Sequence, residues 1–367
     1  MKNQMPVEII IACRGELPEN LRITTDSLKE TLADGDKITI VLDGKQPERY
    51  NIPGCNIVQP WDEWRGPGAC RDWAIMESKA KIVVLVDGHM TFPRGLLKDH
   101  IREHFSDADN AFDVTCCKMQ ALRHDWTPSP TESIYGKGCH LETIQSMECR
   151  KTWALNAVWN REPDPDLPRG GPVGALMGAC YAMRRTWYKT MGQPLSILQA
   201  WGGDEEILSA VTWLCGGNVY LLPCVCGHIW AAPREPRGLN GTMAITTTEW
   251  RRMEANQYAI LDALPIPAQE KQMLYKHLDS NNQRPEEART IAARVAPAIA
   301  RLQAAIKRQA KRVTWCDLRE ARVIREHVPP NVEKKESGAG LCKKCGAPAL
   351  KPQGSHHPRC KKCGALQ

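Results

Sequence analysis

Near the C-terminus, Cys342-Lys343-Lys344-Cys345 and Cys360-Lys361-Lys362-Cys363 stand fourteen residues apart, and each pair is followed directly by a glycine, Gly346 or Gly364. Two such knuckles bring four thiolates around one tetrahedral Zn2+, and the glycines permit the tight turns that aim backbone N–H groups at the sulfurs. Four cysteine ligands leave no open coordination position, so the metal implied is structural and supplies folding energy that so short a segment cannot draw from a core. A second signal is Asp87-Gly88-His89. An acid and an imidazole two residues apart project to the same side of an extended chain and offer one oxygen and one nitrogen to a divalent ion. The same residues also make an ordinary polar turn after a strand.

The elements that must carry these groups are legible as short β-branched runs. Residues 7–12 (Val-Glu-Ile-Ile-Ile-Ala), 38–42 (Ile-Thr-Ile-Val-Leu) and 82–86 (Ile-Val-Val-Leu-Val) each end at a polar or glycine-containing turn and predict parallel strands buried on both faces. Between them, Leu21, Leu28 and Leu32 fall at near-helical spacing and residues 68–79 form a second helical stretch. Strand, helix, strand, helix, strand begins an open α/β sheet, whose ligand site lies at the carboxyl ends of the strands. Arg14-Gly15-Glu16, Asp43-Gly44 and Asp87-Gly88-His89 all fall there. Residues 110–180, rich in Pro, Trp and Gly, read as long loops over the site. Residues 203–215 read as a helix, Val219 to Pro223 as a strand, and Thr247 to His327 as mostly helical with a kink at Pro297. The division expected is an α/β domain over 1–235, a helical region over 236–328, a linker over 329–340 and a zinc ribbon over 341–367.

The run Trp64-Arg65-Gly66-Pro67-Gly68-Ala69-Cys70-Arg71-Asp72-Trp73-Ala74 precedes Ala80-Lys81-Ile82-Val83-Val84-Leu85-Val86-Asp87-Gly88-His89. Later come Gly170-Gly171-Pro172, Trp201-Gly202-Gly203-Asp204-Glu205-Glu206, Trp213-Leu214-Cys215-Gly216-Gly217 and Leu222-Pro223-Cys224-Val225-Cys226-Gly227-His228. In that order and spacing, from residue 7 to about 232, the chain resembles the polypeptide N-acetylgalactosaminyltransferases, a retaining branch of the GT-A glycosyltransferases. The resemblance implies a GT-A fold, Rossmann-like, with a mostly parallel sheet and flanking helices. It also implies that Asp87, His89 and His228 hold Mn2+ (or Mg2+) against the phosphates of a nucleotide-sugar, a UDP-sugar in most of the family. Breaking the anomeric C–O bond leaves a nucleoside diphosphate with growing negative charge, which a bound cation stabilises as a Lewis acid. By the same resemblance Asp43 faces the uracil or ribose, and Arg71, with Arg65 as helper, approaches the nucleotide or its phosphates. Trp201, Gly202 and Gly203, together with Arg14 at the end of the first strand, complete the donor-binding set, and Asp204-Glu205-Glu206 presents an acid to sugar and acceptor. The chain departs from the family in its shortened Asp43-Gly44 pair and in having a helical region and cysteine knuckles where the family carries a lectin domain.

Composition narrows the partners. The 367 residues are 42% hydrophobic and 25% charged, near globular averages, without an uncharged run of membrane-spanning length. Glu8 interrupts the N-terminus before any apolar core forms, so a soluble, cytoplasmic protein is expected. Of sixteen cysteines, the twelve outside the knuckles, among them Cys116-Cys117, Cys224 and Cys226, read as buried thiols. The net charge of +7 is uneven: residues 284–367 hold 19 Lys/Arg against 7 Asp/Glu, whereas the preceding 283 residues carry a net −5. A basic C-terminal segment around cysteine knuckles suits a polyanion such as DNA. The leading expectation is sugar transfer, with retention, from a nucleotide-sugar to a hydroxymethyl-pyrimidine in DNA, a reaction of a few bacteriophage enzymes that this architecture resembles. A protein or glycan hydroxyl is the alternative acceptor, and a nucleic-acid-binding protein with a degenerate transferase fold is the reading from another class.

Overall fold

The computed structural model describes residues 5–45, 50–129, 139–144, 153–159, 170–230, 246–309 and 313–327, together with the backbone alone of 130–134, 349–350 and 359–360. Its first half runs β1 (Val7–Cys13), α1 (Pro18–Lys29), β2 (Lys37–Leu42), β3 (Asn56–Val58), α2 (Pro67–Glu77), β4 (Ile82–Val86), β5 (Met90–Thr91), α3 (Glu103–Ser106) and β6 (Val114–Leu122). There follow β7 (Pro128–Ile134), β8 (His140–Thr143), β9 (Leu155–Val158), β10 (Gly171–Pro172), β11 (Cys180–Arg184), α4 (Arg185–Thr190), α5 (Asp204–Leu214) and β12 (Val219–Ile229). The chain continues through α6 (Thr247–Ala263), α7 (Ala268–Asn281), α8 (Pro285–Ala293), α9 (Ala296–Gln309), α10 (Trp315–Glu320) and β13 (Ile324–Glu326).

The principal sheet has the order β10-β12-β6-β11-β4-β1-β2-β3, with β5 added to β12 and β7 to β6. Its β-branched centre explains itself: every side chain of β4 is fully buried, as are Ile9, Ile10 and Ile11 of β1, because helices or loops cover both faces. Strands β3, β2, β1 and β4 are parallel, in register through Ile9 with Ile38 and Val84. Beyond β4 the expectation of a mostly parallel sheet fails. Strand β11 runs antiparallel to both β4 and β6, and only β6 with β12 is parallel again, so the sheet is mixed. The cause lies in residues 110–180, expected as loops: β6 is a nine-residue strand, and β8 pairs with both β9 and β13 in a small second sheet.

Pro297 does not kink a helix. It occupies the first turn of α9, where a missing N–H breaks no ladder, and α8 has already ended at Ala293. The chain divides into two compact units, Met1–Glu326 and His327–Gln367. In the second, β14 (Ala349–Leu350) pairs antiparallel with β15 (Arg359–Cys360). Cys342, Cys345 and Cys363 lie outside the described residues, and Cys360 is described by its backbone alone. Among the described residues no helix is long and apolar enough to cross a membrane.

One tight approach fixes how the start of α2 meets the rest of the fold. Gly66, at the N-terminus of α2, has φ 89° and ψ 162°, a conformation that only glycine adopts without strain. A Cβ there would stand 2.4 Å from the backbone carbonyl carbon of Ala200. Gly66→Ala is therefore expected to destabilise the fold by about 2 kcal/mol or more, from backbone strain and overlap together, read as a lower urea midpoint with unchanged slope.

Candidate active site

Asp87 follows β4 directly, and three residues later the chain pairs, as β5, with the end of β12. Met90 lies opposite His228, and the Ile229 N–H donates to the His89 carbonyl at 3.1 Å. This crossing brings together side chains 139 and more positions apart in sequence. The ligand-type atoms of Asp87, His89 and His228 all lie within 4.8 Å of one another, and the two imidazole centroids are 4.8 Å apart. His228 Nε2 is 3.3 Å from Asp87 Oδ2. Its Nδ1 is buried with no hydrogen-bond partner, and the Trp230 ring packs edge-on against it at 4.2 Å. Burial lowers the His228 pKa and keeps the imidazole neutral, the form that ligates metals.

His89 is oriented from behind. Its Nδ1 sits 3.2 Å from Glu16 Oε1, a carboxylate–imidazole pair that fixes ring orientation. Burial alone would depress this imidazole, but Glu16 and Asp87 push its pKa up. Gly88 makes the pairing possible: a Cβ there would meet Leu21 Cδ2 at 2.9 Å and Glu16 Cγ at 3.0 Å.

Arg71 of α2 joins the two acidic centres. It donates to Asp87 Oδ1 and to Asp204 Oδ2, each at 2.6 Å, and only 4% of it is exposed. Burial would raise the Asp87 carboxyl, yet the His228 hydrogen bond and the charges of Arg71 and His89 hold it well below the usual carboxylate range. Arg71 thus lies buried between carboxylates in the structure, where the family resemblance puts an arginine at the nucleotide or phosphates.

Asp43 is likewise engaged. It accepts from the backbone N–H of Arg65 at 2.7 Å and of Gly66 at 3.0 Å, and the Trp61 indole donates to it at 3.4 Å. It is 1% exposed and shapes the turn into α2. Arg65 itself lies over Trp61, and Arg14 over Trp64 at 3.9 Å while paired with Glu249 at 2.5 Å. Glu249 belongs to α6, far beyond the strands. The same helix supplies Arg252, donating to the Trp64 carbonyl at 2.7 Å, and Asn256, donating to the carbonyls of Ala200 and Gly202 at 3.2 and 2.9 Å. Asn256 therefore holds the Trp201-Gly202-Gly203 turn, whose Trp201 ring stands 55% exposed beside Trp153. Sequence reading did not name Glu16 as the partner of His89, nor the α6 residues. The available signal for α6 was Thr246 followed by Glu249, a capping box that the structure realises.

The three acids opening α5 have different environments. Asp204 is committed to Arg71 and is buried. Glu206 accepts from the Ala157 N–H at 2.9 Å, and burial, aided by Glu205, pushes it up from 4.5 to about 8. Glu205 is half-buried, accepts from the Tyr181 hydroxyl at 2.6 Å and is pushed up to about 7 by burial and by Asp204. It is the reachable carboxyl of the three, and it exchanges its proton near neutrality.

With this architecture in view, comparison with known proteins is informative. No family model matches the chain. A stretch of 118 residues is 31% identical to polypeptide N-acetylgalactosaminyltransferase 11 of Xenopus tropicalis, covering 29% of this chain and 19% of that protein. A stretch of 87 residues is 29% identical to polypeptide N-acetylgalactosaminyltransferase 16 of Homo sapiens, covering 21% of this chain and 15% of that one. The matches span less than a fifth of the length of these relatives. Among solved structures, GalNAc-T7 with UDP, GalNAc and Mn2+ superposes with a TM-score of 0.60 at 15% identity, over 88% of this chain and 59% of that chain. The fold is accordingly a GT-A-like α/β architecture, and the sequence similarity is to glycosyltransferases of that fold.

Two outcomes follow from the buried charges. Arg71→Ala leaves Asp204 buried without its cation and is expected to cost about 3–5 kcal/mol in chemical unfolding. Glu206 binds a proton in the native state up to about pH 8, whereas the unfolded chain releases it near 4.5. Its contribution is therefore full at low pH and is lost as pH rises through that window, at up to about 1.4 kcal/mol per pH unit. Glu206→Gln, which mimics the neutral acid, should flatten the fall of melting temperature between pH 6 and 8.

Proposed function

We propose that this chain is a metal-dependent glycosyltransferase that moves a sugar from a nucleotide-sugar, a UDP-sugar foremost, to a hydroxyl acceptor with retention of configuration. The observation that carries the reading is the meeting of Asp87, His89 and His228 at the carboxyl edge of the sheet, with Asp204 of α5 tied to the same point through Arg71. One oxygen and two imidazole nitrogens form a donor set that fits Mn2+, or Mg2+ less closely, and the orphaned Nδ1 of His228 fits a group awaiting a partner. When bound, such an ion supplies Lewis-acid stabilisation of the departing diphosphate.

The chain's own groups do the rest. Glu16 holds His89 in one orientation, and the Trp230 ring confines His228. Asp43, Arg14 and Arg65 shape the turn beside the donor, and the exposed Trp201 ring offers a face on which a sugar or acceptor stacks. Glu205 holds or releases a proton near neutral pH on the carboxyl whose Oε1 accepts from Tyr181, while Asp204 and Glu206 keep the α5 turn in place. The intact ligand set favours an enzyme over a degenerate transferase fold that only binds nucleic acid.

For the acceptor we propose a base hydroxyl, of the hydroxymethyl-pyrimidine kind, in DNA. The support is the net +12 of residues 284–367 and the cysteine knuckles Cys342-x-x-Cys345 and Cys360-x-x-Cys363, which suit one structural Zn2+ and a phosphate backbone. A protein hydroxyl is the second reading, favoured by the similarity to polypeptide transferases. Asp87→Ala should abolish donor hydrolysis and transfer, measured by nucleoside mass spectrometry and released diphosphate, while the melting transition persists. On DNA, about six phosphate contacts would weaken binding roughly 10³-fold between 50 and 200 mM salt. Weak salt dependence, or no DNA binding at low salt, would instead select the protein acceptor.

A further inference from the structure

A second cluster of ligand-type side chains sits inside the principal sheet, remote in sequence from the C-terminal knuckles. It is formed by Cys117 of β6, Cys180 of β11, and Cys224 and Cys226 of β12, three strands adjacent in the sheet. The Cys117 sulfur lies 3.8 Å from that of Cys180 and 3.4 Å from that of Cys224, and the sulfurs of Cys117, Cys180 and Cys226 are all within 4.8 Å of one another. None of the four is more than 5% exposed.

The convergence has a local cause. Strand β12 pairs Leu221 with Cys116 but Val225 with Lys118, so it advances four residues while β6 advances two. The irregularity, which contains Pro223, brings Cys224 beside Cys117, and strand alternation then puts Cys226 on the same face. From the other side, β11 pairs Tyr181 with Cys116, which places Cys180 next to Cys117. A regular ladder would not assemble this group, and small apolar residues would fill the space without it.

We propose that Cys117, Cys180, Cys224 and Cys226 form a structural metal site for a thiophilic divalent cation, Zn2+. Four sulfurs about 2.3 Å from a tetrahedral zinc stand about 3.8 Å apart, the spacing already present between Cys117 and Cys180; Cys224, 3.4 Å from Cys117 but not within 4.8 Å of all three others, would complete the tetrahedron by a side-chain adjustment. Each coordinating thiol loses its proton to solvent as its sulfur–metal bond forms, and Lys118, next to Cys117 in β6, places positive charge toward Cys224 to offset part of the resulting negative charge. The site would clamp three strands together two residues ahead of His228. It would also fix β11 beside Ala179, whose carbonyl accepts the Asp87 N–H at 3.2 Å. The inference is independent of the sugar-transfer reading, since it uses none of that site's ligands.

The test uses the full chain carrying Cys342→Ser, Cys345→Ser, Cys360→Ser and Cys363→Ser, which removes the terminal knuckles, loaded with Co2+. Only thiolate coordination gives a near-ultraviolet sulfur-to-cobalt charge-transfer band together with intense tetrahedral visible bands, so binding at Asp87, His89 and His228 is silent in this readout. One equivalent of Co2+ showing those bands is expected, displaced by one equivalent of Zn2+. Adding Cys117→Ala and Cys226→Ala should abolish the bands. Should that variant not fold, the four-serine chain alone still decides. Absence of sulfur-bound cobalt there, or a Cys117–Cys224 disulfide found by mass spectrometry in the freshly purified protein, would overturn the proposal.

Discussion

The Arg71 guanidinium, buried between Asp87 and Asp204, is the contact on which the rest of the site depends. It joins the end of β4, the first turn of α5 and the body of α2, three elements that the chain brings together from positions 71, 87 and 204. Buried charges are costly unless paired, so this arrangement tolerates little displacement of any member. It also leaves a local imbalance. Glu16, Asp87 and Asp204 outnumber the single guanidinium, and the excess negative charge lies where two imidazoles converge, the electrostatic setting of a divalent cation.

Around that centre the structure is held by contacts from late in the chain. Glu249, Arg252 and Asn256 lie along one helix and reach respectively Arg14 after β1, the carbonyl of Trp64 and the turn around Gly202. Helix α6 therefore ties together the loops around residues 14, 64 and 202. The contact between Gly66 and Ala200 joins two of the same loops directly, so a change in one is transmitted to the other through backbone rather than through flexible side chains.

What was legible in the sequence follows from the physics of each signal. Strands β1, β2 and β4 were plain because burial on both faces demands unbroken β-branched runs, and α1, α2 and α5 because their apolar spacing is helical. Strands β6, β8, β9 and β11 were hidden: each has an antiparallel neighbour, β8 and β9 lie in a small separate sheet, and their polar, Pro- and Trp-rich neighbourhood resembles loop. Asp87 and His89 announced themselves by spacing, whereas His228 needed the family resemblance, since only the β5–β12 pairing carries it to them. Glu16 and Asn256 make contacts across 73 and more than 50 residues, which no local pattern encodes. The cysteines of β6 and β12 were visible but read as ordinary buried thiols, because their convergence depends on a shift of strand pairing that leaves no mark in composition.

On the proposed reading, Asp87, His89 and His228 bind a nucleotide-sugar diphosphate only together with a metal ion. Calorimetric titration of uridine diphosphate into the full chain, with Mn2+ and then with excess chelator, and again into His228→Ala, tests it most directly. Binding is expected with Mn2+ and weakens at least about tenfold both in chelator and in the variant. Equal affinity under all three conditions would contradict it.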